Sequence, residues 1–239
     1  MLKLGISGCL GRMGQRIIYF GLKDPALSIA VLLEQPQRIE KQKALEGLTI
    51  QSSPEALKGC DVLIEFTTPE ATLNHLAFCQ QHQVKMVIGT TGLFAEQVKQ
   101  IEGAAQTIPI VYSSNMSVGV NIFFKLAREL SAKASGDYQV KIAEAHHIHK
   151  KDAPSGTAKA LQKIIESASD HRVPDIQSVR EGEIVGDHKI IFESAEDVIT
   201  LDHHAKSRDI FAKGALVAAK FLDDKKHGLF DMQDVLNLR

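Results

Sequence analysis

The segment from Glu144 to Thr157 holds the densest group of side chains that could do chemistry, with three histidines and two lysines before a predicted helix start. Each histidine can gain or lose a proton near neutral pH, and each lysine carries a positive charge. Ser155, Gly156 and Thr157 would lie at the amino end of that helix, where backbone N–H groups and the helix dipole attract an anion. The segment therefore predicts acid–base chemistry on a small carboxylate or phosphate.

Lys150 could orient a carboxylate or stabilise developing negative charge while one of the histidines transfers the proton. A polar surface loop is the alternative interpretation, since isolated histidines are more often structural or solvent-exposed; the density of this cluster favours catalysis. His147 and His149 could also share a metal ion. Because the sequence offers them no nearby cysteine or clear carboxylate partner, we predict no metal site.

A second basic group, His203, His204 and Arg208, is expected to be solvated surface. The alternative is that Arg208 helps to bind a ligand or acts at a hinge. We assign neither His149 nor Lys151 a direct role in the chemistry.

The turn from Gly8 to Gly14 is a candidate phosphate-binding site. Its Gly-x-x-Gly-x-x-Gly spacing lies between a predicted strand and a predicted helix, and glycine lets a backbone approach a pyrophosphate closely. Glu34 ends the next strand, where an acid is the usual partner of a ribose diol. Because the spacing departs from Gly-x-Gly-x-x-Gly, a purely structural turn is the alternative. The context favours a dinucleotide site.

The residue after Glu34 is Gln35, so no adjacent arginine is available to bind a 2′-phosphate. Arg38 and Arg12 are possible substitutes for that arginine. The cofactor expected is NADH or NADPH, with a slight preference for NADH.

Polar groups also follow later strands, at Phe66-Thr67-Thr68, Gly89-Thr90-Thr91 and Ser113-Ser114-Asn115-Met116. Ligands of open parallel sheets bind beyond the carboxyl ends of the strands, so these groups could line the nicotinamide ribose. Helix capping is the alternative, and Thr68 before Pro69 fits it well.

The first half of the chain alternates apolar strands with amphipathic helices, which predicts a Rossmann-type doubly wound parallel sheet. After residue 117 the pattern changes to a long helix, a strand, a helix and three consecutive strands. Those three, predicted at 178–185, 189–194 and 197–203, suggest an antiparallel meander within a smaller α+β domain whose sheet is mixed or antiparallel. A last helix, predicted at 209–221, would pack through Phe211, Leu216, Val217 and Phe221. We predict a dinucleotide-binding domain at 1–116 and 207–239 and a substrate-binding domain at 117–206.

Composition excludes several classes of protein. The chain has 239 residues, a net charge of −1 and three cysteines without metal or redox spacing. Such a charge gives no general attraction to nucleic acid, and no apolar run reaches membrane-spanning length. The sparse cysteines fit a reducing compartment, so we expect a cytoplasmic protein that binds neither nucleic acid nor membrane.

A series of motifs, in order along nearly the whole chain, resembles the dihydrodipicolinate reductase family. They are Gly-x-x-Gly-Arg-Met-Gly, Phe-Thr-x-Pro-Glu, Gly-Thr-Thr-Gly, Asn-x-Ser-x-Gly-Val-Asn, Glu-Ala-His-His-x-His-Lys-x-Asp-Ala-Pro-Ser-Gly-Thr-Ala and Gly-Leu-Phe-Asp-Met. The histidine–lysine motif is highly specific to that family, whereas the glycine turn alone is not.

The resemblance implies a bacterial enzyme of lysine and diaminopimelate biosynthesis. It would reduce the cyclic imine dicarboxylate 4-hydroxy-tetrahydrodipicolinate to tetrahydrodipicolinate with NADH or NADPH, as a homotetramer assembled through the second domain's sheet. By the same resemblance His146 donates or accepts a proton and Lys150 donates one, and the substrate contacts are His147, Ser155, Gly156 and Thr157. The implied nucleotide site comprises Gly8, Cys9, Leu10, Gly11, Arg12, Met13, Glu34, Gly89, Thr90, Thr91, Ser113, Ser114, Asn115 and Met116.

Two features depart from the family pattern. Gln35 stands where many members have an arginine, which argues against a strong preference for NADPH. The stretch 167–177 is short, so loop and tetramer details should differ.

Two other functions remain open: a two-domain dehydrogenase of a small amino or keto acid, and a non-catalytic sensor of the NADH/NAD⁺ ratio. The sensor would not need the histidine–lysine segment.

Overall fold

The computed structural model describes residues 1–134 and 136–239. The chain divides into two compact units. The first unit comprises Met1–Ser117 and Phe211–Asn237, and the second comprises Val118–Ile210 and Leu238–Arg239. None of the helices in the described part of the chain combines the length and apolar composition that a membrane span requires.

The elements of the first unit alternate between strands and helices. In chain order they are β1 (Leu2–Ser7), α1 (Arg12–Gly21), β2 (Leu27–Leu33), α2 (Pro36–Ile39), β3 (Ala44–Leu45), β4 (Leu48–Gln51), a 3₁₀ turn (Pro54–Gly59), β5 (Val62–Glu65), α3 (Pro69–His82), β6 (Lys85–Ile88), α4 (Ala95–Ala104) and β7 (Pro109–Tyr112). The predicted alternation of strands and helices is thus observed in this unit. The short segments between β2 and β5 were not predicted.

The rest of the chain forms the second unit and then returns to the first. Its elements are α5 (Val118–Lys133), β8 (Gln139–His146), α6 (Gly156–Ala168), β9 (Ile176–Arg180), β10 (Asp187–Glu193), β11 (Val198–His204), α7 (Asp209–Phe221), β12 (Gly228–Phe230) and α8 (Met232–Val235).

The larger sheet has the strand order β12-β7-β6-β5-β1-β2-β4-β3. Its strands run parallel except β3, which pairs antiparallel with β4. The central strands are buried because helices pack against the sheet, with one core around α1 and α7 and another around α3 and α4. This arrangement confirms the predicted doubly wound parallel sheet.

The smaller sheet has the strand order β11-β10-β8-β9 and is mixed. β10 runs antiparallel to both β8 and β11, whereas β9 runs parallel to β8. The predicted meander of three consecutive strands is therefore wrong at its first strand, which lies on the far side of β8 from β10. The long helix α6 between β8 and β9 supplies the crossover that a parallel pair requires. The predicted strand 178–185 also ends early, at Arg180, because a turn with positive φ at Gly182 follows.

Three of the four residues predicted to pack from helix α7 do so, since Leu216 is buried and Phe211 and Phe221 are half-buried against the core of the first unit. Val217, expected in the core, is 39% exposed, while Leu216 is buried as predicted. Small residues allow the helix to approach closely: a Cβ at Gly214 would lie 1.7 Å from the carbonyl oxygen of Met116. The other buried positions of the helix are Ala212, Ala215, Ala218 and Ala219.

Candidate active site

The glycine turn after β1 has the geometry of a phosphate cradle. Gly8 has φ +71°, a left-handed conformation that favours glycine, and its N–H donates to the carbonyl of Leu33 at 3.0 Å. A Cβ at Gly14 would lie 2.2 Å from the Gly8 carbonyl oxygen, so only glycine lets α1 pack this closely on the turn. In the described residues no side chain caps α1, whose N-cap is Gly11. The amino end of α1 therefore suits a pyrophosphate.

A cavity of about 520 Å³ lies beside this turn. Glu34 lines it, with a side chain only 6% exposed. The Glu34 carboxylate accepts hydrogen bonds from the N–H groups of Leu10 and Gln35, each at 3.1 Å, and pairs with Arg38 at 3.2 Å. The carboxylate is thus held in one orientation, at the position where dinucleotide-binding folds bind the ribose diol of the cofactor.

Several other residues predicted to contact the nucleotide have side chains that are buried or hydrogen-bonded within the protein. Cys9 and Met116 are buried, so their side chains are part of the core. The Thr90 hydroxyl accepts hydrogen bonds from the Thr67 N–H at 3.1 Å and from the Thr72 hydroxyl at 2.9 Å. Leu10 is also buried, whereas Arg12 is exposed and Met13 is half-buried. For these buried residues, only backbone atoms could serve a ligand.

The segments after β6 and β7 do not line the 520 Å³ cavity. A Cβ at Gly89 would lie 2.2 Å from the Phe66 ring, so a larger residue there would require that ring to move. Thr91 and Ser114 are exposed. The hydroxyl of Ser113 donates to the Asn115 carbonyl at 3.0 Å, which closes a tight turn after β7. Both segments lie beyond the carboxyl ends of their strands, as predicted for ligand contacts.

In the second unit, the end of β8 carries His146, which is buried. Its Nδ1 bonds to a carboxylate oxygen of Glu144, two residues earlier on the same face of the strand. Its Nε2 is the other nitrogen available to a substrate; a Cβ at Gly186 would lie 3.0 Å from it. A carboxylate that orients a histidine ring is the arrangement used in acid–base catalysis.

Burial of Glu144 acts to raise its pKa, but the hydrogen bonds from Arg180 and His146 outweigh burial and lower the pKa below its usual range. Burial lowers the pKa of His146, and the bond to Glu144 opposes this only in part. Glu144 is therefore ionised and His146 largely neutral at neutral pH, with its Nδ1 proton directed to the carboxylate.

Lys150 lies in the loop that follows β8. Its Nζ is 2.8 Å from a carboxylate oxygen of Asp152, and its side chain is 23% exposed. The N–H of Lys150 donates to the His147 carbonyl at 3.1 Å, which fixes the turn between them. Burial acts to raise the pKa of Asp152, and the contact with Lys150 more than reverses this. An ammonium group is thus held close to β8 and remains reachable by solvent.

Helix α6 begins directly after Ser155, which is buried and caps the helix by accepting from the Ala158 N–H at 3.2 Å. Ser155 was predicted as a substrate contact; its N–H bonds to Glu144 and its hydroxyl to His188. Gly156 is exposed and Thr157 half-buried at the amino end of α6, where the helix dipole favours an anion.

His147 is half-buried, and its Nδ1 has no hydrogen-bond partner among the described residues. Burial, followed by the positive charge of Arg208, lowers its pKa. Arg208 thus acts on the histidine segment and is not an isolated surface charge. His149 is exposed, 3.7 Å from Glu183, and Lys151 is exposed.

Arg180 and His188 were not among the predicted site residues, and Glu144 had been given no role of its own. His188 is buried beside His146, with ring centroids 5.1 Å apart, and burial lowers its pKa to about 4. His203 was expected to be solvated, but its Nδ1 is buried and its ring lies 6.5 Å from that of His188. The period-two pattern of β8, β10 and β11 carries the signal that was overlooked, since it puts these side chains on the buried face.

An open parallel sheet with a glycine cradle, joined in one chain to a candidate histidine–lysine site, is typical of nicotinamide-dependent two-domain oxidoreductases. Among the described residues, no group of three or more His, Cys, Asp or Glu side chains is arranged to hold a metal ion.

Comparison with known proteins narrows this class to one family. The profile described as dihydrodipicolinate reductase, N-terminus, matches residues 2–116, and that described as dihydrodipicolinate reductase, C-terminus, matches residues 119–236. The chain therefore belongs to the dihydrodipicolinate reductase family. It is an NAD(P)H-dependent oxidoreductase of lysine and diaminopimelate biosynthesis, as the sequence analysis predicted.

Two curated relatives cover the whole chain. The 4-hydroxy-tetrahydrodipicolinate reductase of Nitrosomonas eutropha is 45% identical, and that of Nitrosomonas europaea is 41% identical; each match spans 100% of this chain and 99% of the relative. A dipicolinate-bound dihydrodipicolinate reductase from Paenisporosarcina sp. TG-14 shares the fold, with a TM-score of 0.82 over 98% of both chains at 24% identity.

Proposed function

We propose that this chain reduces 4-hydroxy-tetrahydrodipicolinate to tetrahydrodipicolinate, with His146 and Lys150 as its catalytic residues. The observation that carries the proposal is their geometry: an oriented histidine ends β8, an ammonium group follows it within one turn, and the amino end of α6 lies just beyond. A dicarboxylate that must gain a proton needs these features.

When bound, the reduced nicotinamide supplies the hydride to one end of the substrate's conjugated C=C–C=N system. The electron pair of that system moves to its far end and takes up a proton there. The ammonium of Lys150 stabilises the developing negative charge and supplies that proton, while the unprotonated Nε2 of the neutral His146 ring serves as the proton acceptor of the pair. The positive charges of Lys150 and Arg208 hold the anionic substrate in the second unit.

The substrate carboxylates are assigned to the amino end of α6 and to the side chains of His147 and Arg208. Gly156 and Thr157 supply the helix amino end, and His147 lies close enough to Arg208 to be influenced by its charge. Because Ser155 uses its side chain as a cap, it supports the substrate site through α6 and makes no direct side-chain contact in this proposal.

The cofactor is assigned to the first unit, with its pyrophosphate at Gly8–Met13 and its adenosine ribose at Glu34. The segments 89–91 and 113–116 would serve the nicotinamide end. A nearly buried carboxylate favours a ribose diol over a 2′-phosphate, while Arg38 beside it offsets part of that preference. We therefore propose a slight preference for NADH, measured by comparing its dissociation constant with that of NADPH in calorimetric titrations.

The decisive assay couples the protein to dihydrodipicolinate synthase and follows NADH oxidation. Lys150→Ala should lower kcat by roughly 10²–10⁴-fold, the range for loss of a general acid. Lys151→Ala is the matched control, because it removes the neighbouring exposed charge and should leave kcat unchanged. Absence of coupled turnover in the wild type would refute the reaction, and equal kcat in the two variants would remove Lys150 from the chemistry.

Three further assignments stay predictions. They are the homotetramer assembled through the smaller sheet, the cytoplasmic location, and the division of labour between a dinucleotide-binding and a substrate-binding unit. Sedimentation of the purified protein measures the first, and fourfold association of the chain is the expected result.

A further inference from the structure

Glu144 occupies a position that the catalytic scheme above does not use. Its side chain is fully buried at 0% exposure, yet it carries a charge. Ionised carboxylates are rarely buried without several partners, because desolvation costs several kcal/mol. The partners of Glu144 therefore indicate the role of its negative charge.

The partners approach Glu144 from separate parts of the second unit. Arg180 on β9 donates to both carboxylate oxygens, at 3.0 and 2.9 Å. The Ser155 N–H, at the start of α6, donates to Oε1 at 3.2 Å, and His146 Nδ1 bonds to Oε2. Each oxygen thus has two partners, which matches the acceptor capacity of a carboxylate.

Arg180 extends this network to the loop that holds Lys150. Its Nη2 donates to the Asp152 carbonyl at 2.5 Å, and the Asp152 carboxylate pairs with Lys150 at 2.8 Å. The Glu144–Arg180 ion pair therefore contacts His146, the capping residue of α6, and the Lys150 loop.

We propose that Glu144, held by Arg180, is the positioning residue that aligns His146, Lys150 and the amino end of α6 for one substrate. This inference rests on the proposed function for its consequences in catalysis, though not for the geometry itself. Glu144 acts through His146 and does not touch the substrate, in the same way that a buried carboxylate orients a catalytic imidazole in other enzymes.

The two members of the pair act on His146 in opposite directions. Among the described residues, the charged or titratable groups that face His146 are Glu144 on its own strand, Arg180 on β9, His188 on β10 and Lys150 in the loop. Glu144 acts to raise the pKa of His146, whereas Arg180 and Lys150 act to lower it.

The test is a pH titration of the His146 ring by NMR, without substrate, in Glu144→Gln and Arg180→Met. The pKa of His146 should fall in Glu144→Gln and rise in Arg180→Met. Loss of packing alone would not shift it in opposite directions. Glu193→Gln is the matched control, since it removes an exposed carboxylate from β10 of the same sheet and should leave the titration unchanged.

Turnover gives a second readout. Glu144→Gln should lower kcat about 100-fold with little change in KM, because misplacement of a catalytic group by about 1 Å costs that much. If Arg180→Met does not fold, Arg180→Lys is the alternative variant, because it keeps the positive charge but loses one of the two hydrogen bonds to Glu144. Arg180→Lys should lower kcat and leave the pKa of His146 nearly unchanged.

The outcomes separate this inference from the proposed function. If His146 titrates in Glu144→Gln as in the wild type, the positioning role is wrong, whatever the activity. If the titrations shift as expected but His146→Gln keeps the wild-type kcat, the positioning geometry stands and the catalytic assignment fails.

Discussion

At the scale of single residues, the two candidate sites depend on different physical requirements. The glycine turn requires residues without a side chain. Gly8 has a positive φ, and Gly14 lies too close to the Gly8 carbonyl oxygen to carry a Cβ. The histidine site works through added partners, which hold Glu144 ionised and turn the His146 ring. A substitution in the first site therefore causes a steric clash, whereas one in the second removes a hydrogen bond or a charge.

Gly14→Ala should lower the free energy of unfolding by about 1–3 kcal/mol, the usual cost of overpacking, because the new Cβ would lie 2.2 Å from a backbone oxygen. It should also weaken NADH binding by displacing the cradle. Denaturant titration and calorimetry measure the two effects.

Gly103→Ala is the matched control for that substitution. Gly103 is also helical, and a Cβ there would meet no atom within 4 Å, so alanine should be neutral or stabilising. If both variants lose equal stability, the close approach at Gly14 is not the cause.

At the scale of elements, helix ends and crossovers position the side chains. Helix α6 links parallel strands β8 and β9, which brings Arg180 beside Glu144 although the two are 36 residues apart. Helix α3 begins at Thr68, whose hydroxyl accepts from the Ala71 N–H at 3.3 Å, and it ends at Gln83 in a left-handed conformation with φ +57°. The latter is a position where glycine is preferred.

Gln83→Gly should therefore raise the free energy of unfolding by about 0.5–1 kcal/mol, because glycine adopts the left-handed conformation without strain. Gln81→Gly, inside the last turn of α3, should instead lower it by about 1 kcal/mol. Thermal unfolding of the two variants measures both changes. Shifts of the same sign would contradict the assigned helix end.

At the scale of the whole molecule, the buried histidines link folding to pH. Burial lowers the pKa of His188 to about 4, whereas the unfolded chain binds that proton near pH 6.5. The unfolded state therefore holds more protons between these values. The stabilisation is complete above about pH 6.5 and is lost progressively as pH falls from 6.5 through 4, by about 3 kcal/mol in all.

His188→Asn should thus flatten the dependence of the free energy of unfolding on pH between about 6.5 and 4. The slope, and not the absolute stability, is the quantity to compare. His204→Asn is the control, because that side chain lies on β11 but is 58% exposed. An unchanged slope in His188→Asn would show that His188 does not cause the acid sensitivity.

Local patterns determined much of what the sequence analysis predicted. Apolar periodicity specified the parallel sheet and most helices, because burial of one face imposes a period on the chain. The spacing of Gly8, Gly11 and Gly14 and the histidine–lysine segment identified both candidate sites. Helix α7 was predicted with its observed bounds, but Val217 was expected in the core and is exposed, and the small residues that the helix buries were not identified.

Only the tertiary structure determined which residues far apart in the chain contact one another. The contact of Arg180 with Glu144, the burial of His188 and of the His203 Nδ1, and the position of β9 beside β8 join residues far apart in the chain. Local preference cannot specify such contacts, because they arise from which strands pair and which faces become buried. The residues able to transfer a proton were therefore evident from the sequence, while the partners that orient them and shift their pKa values came from the fold.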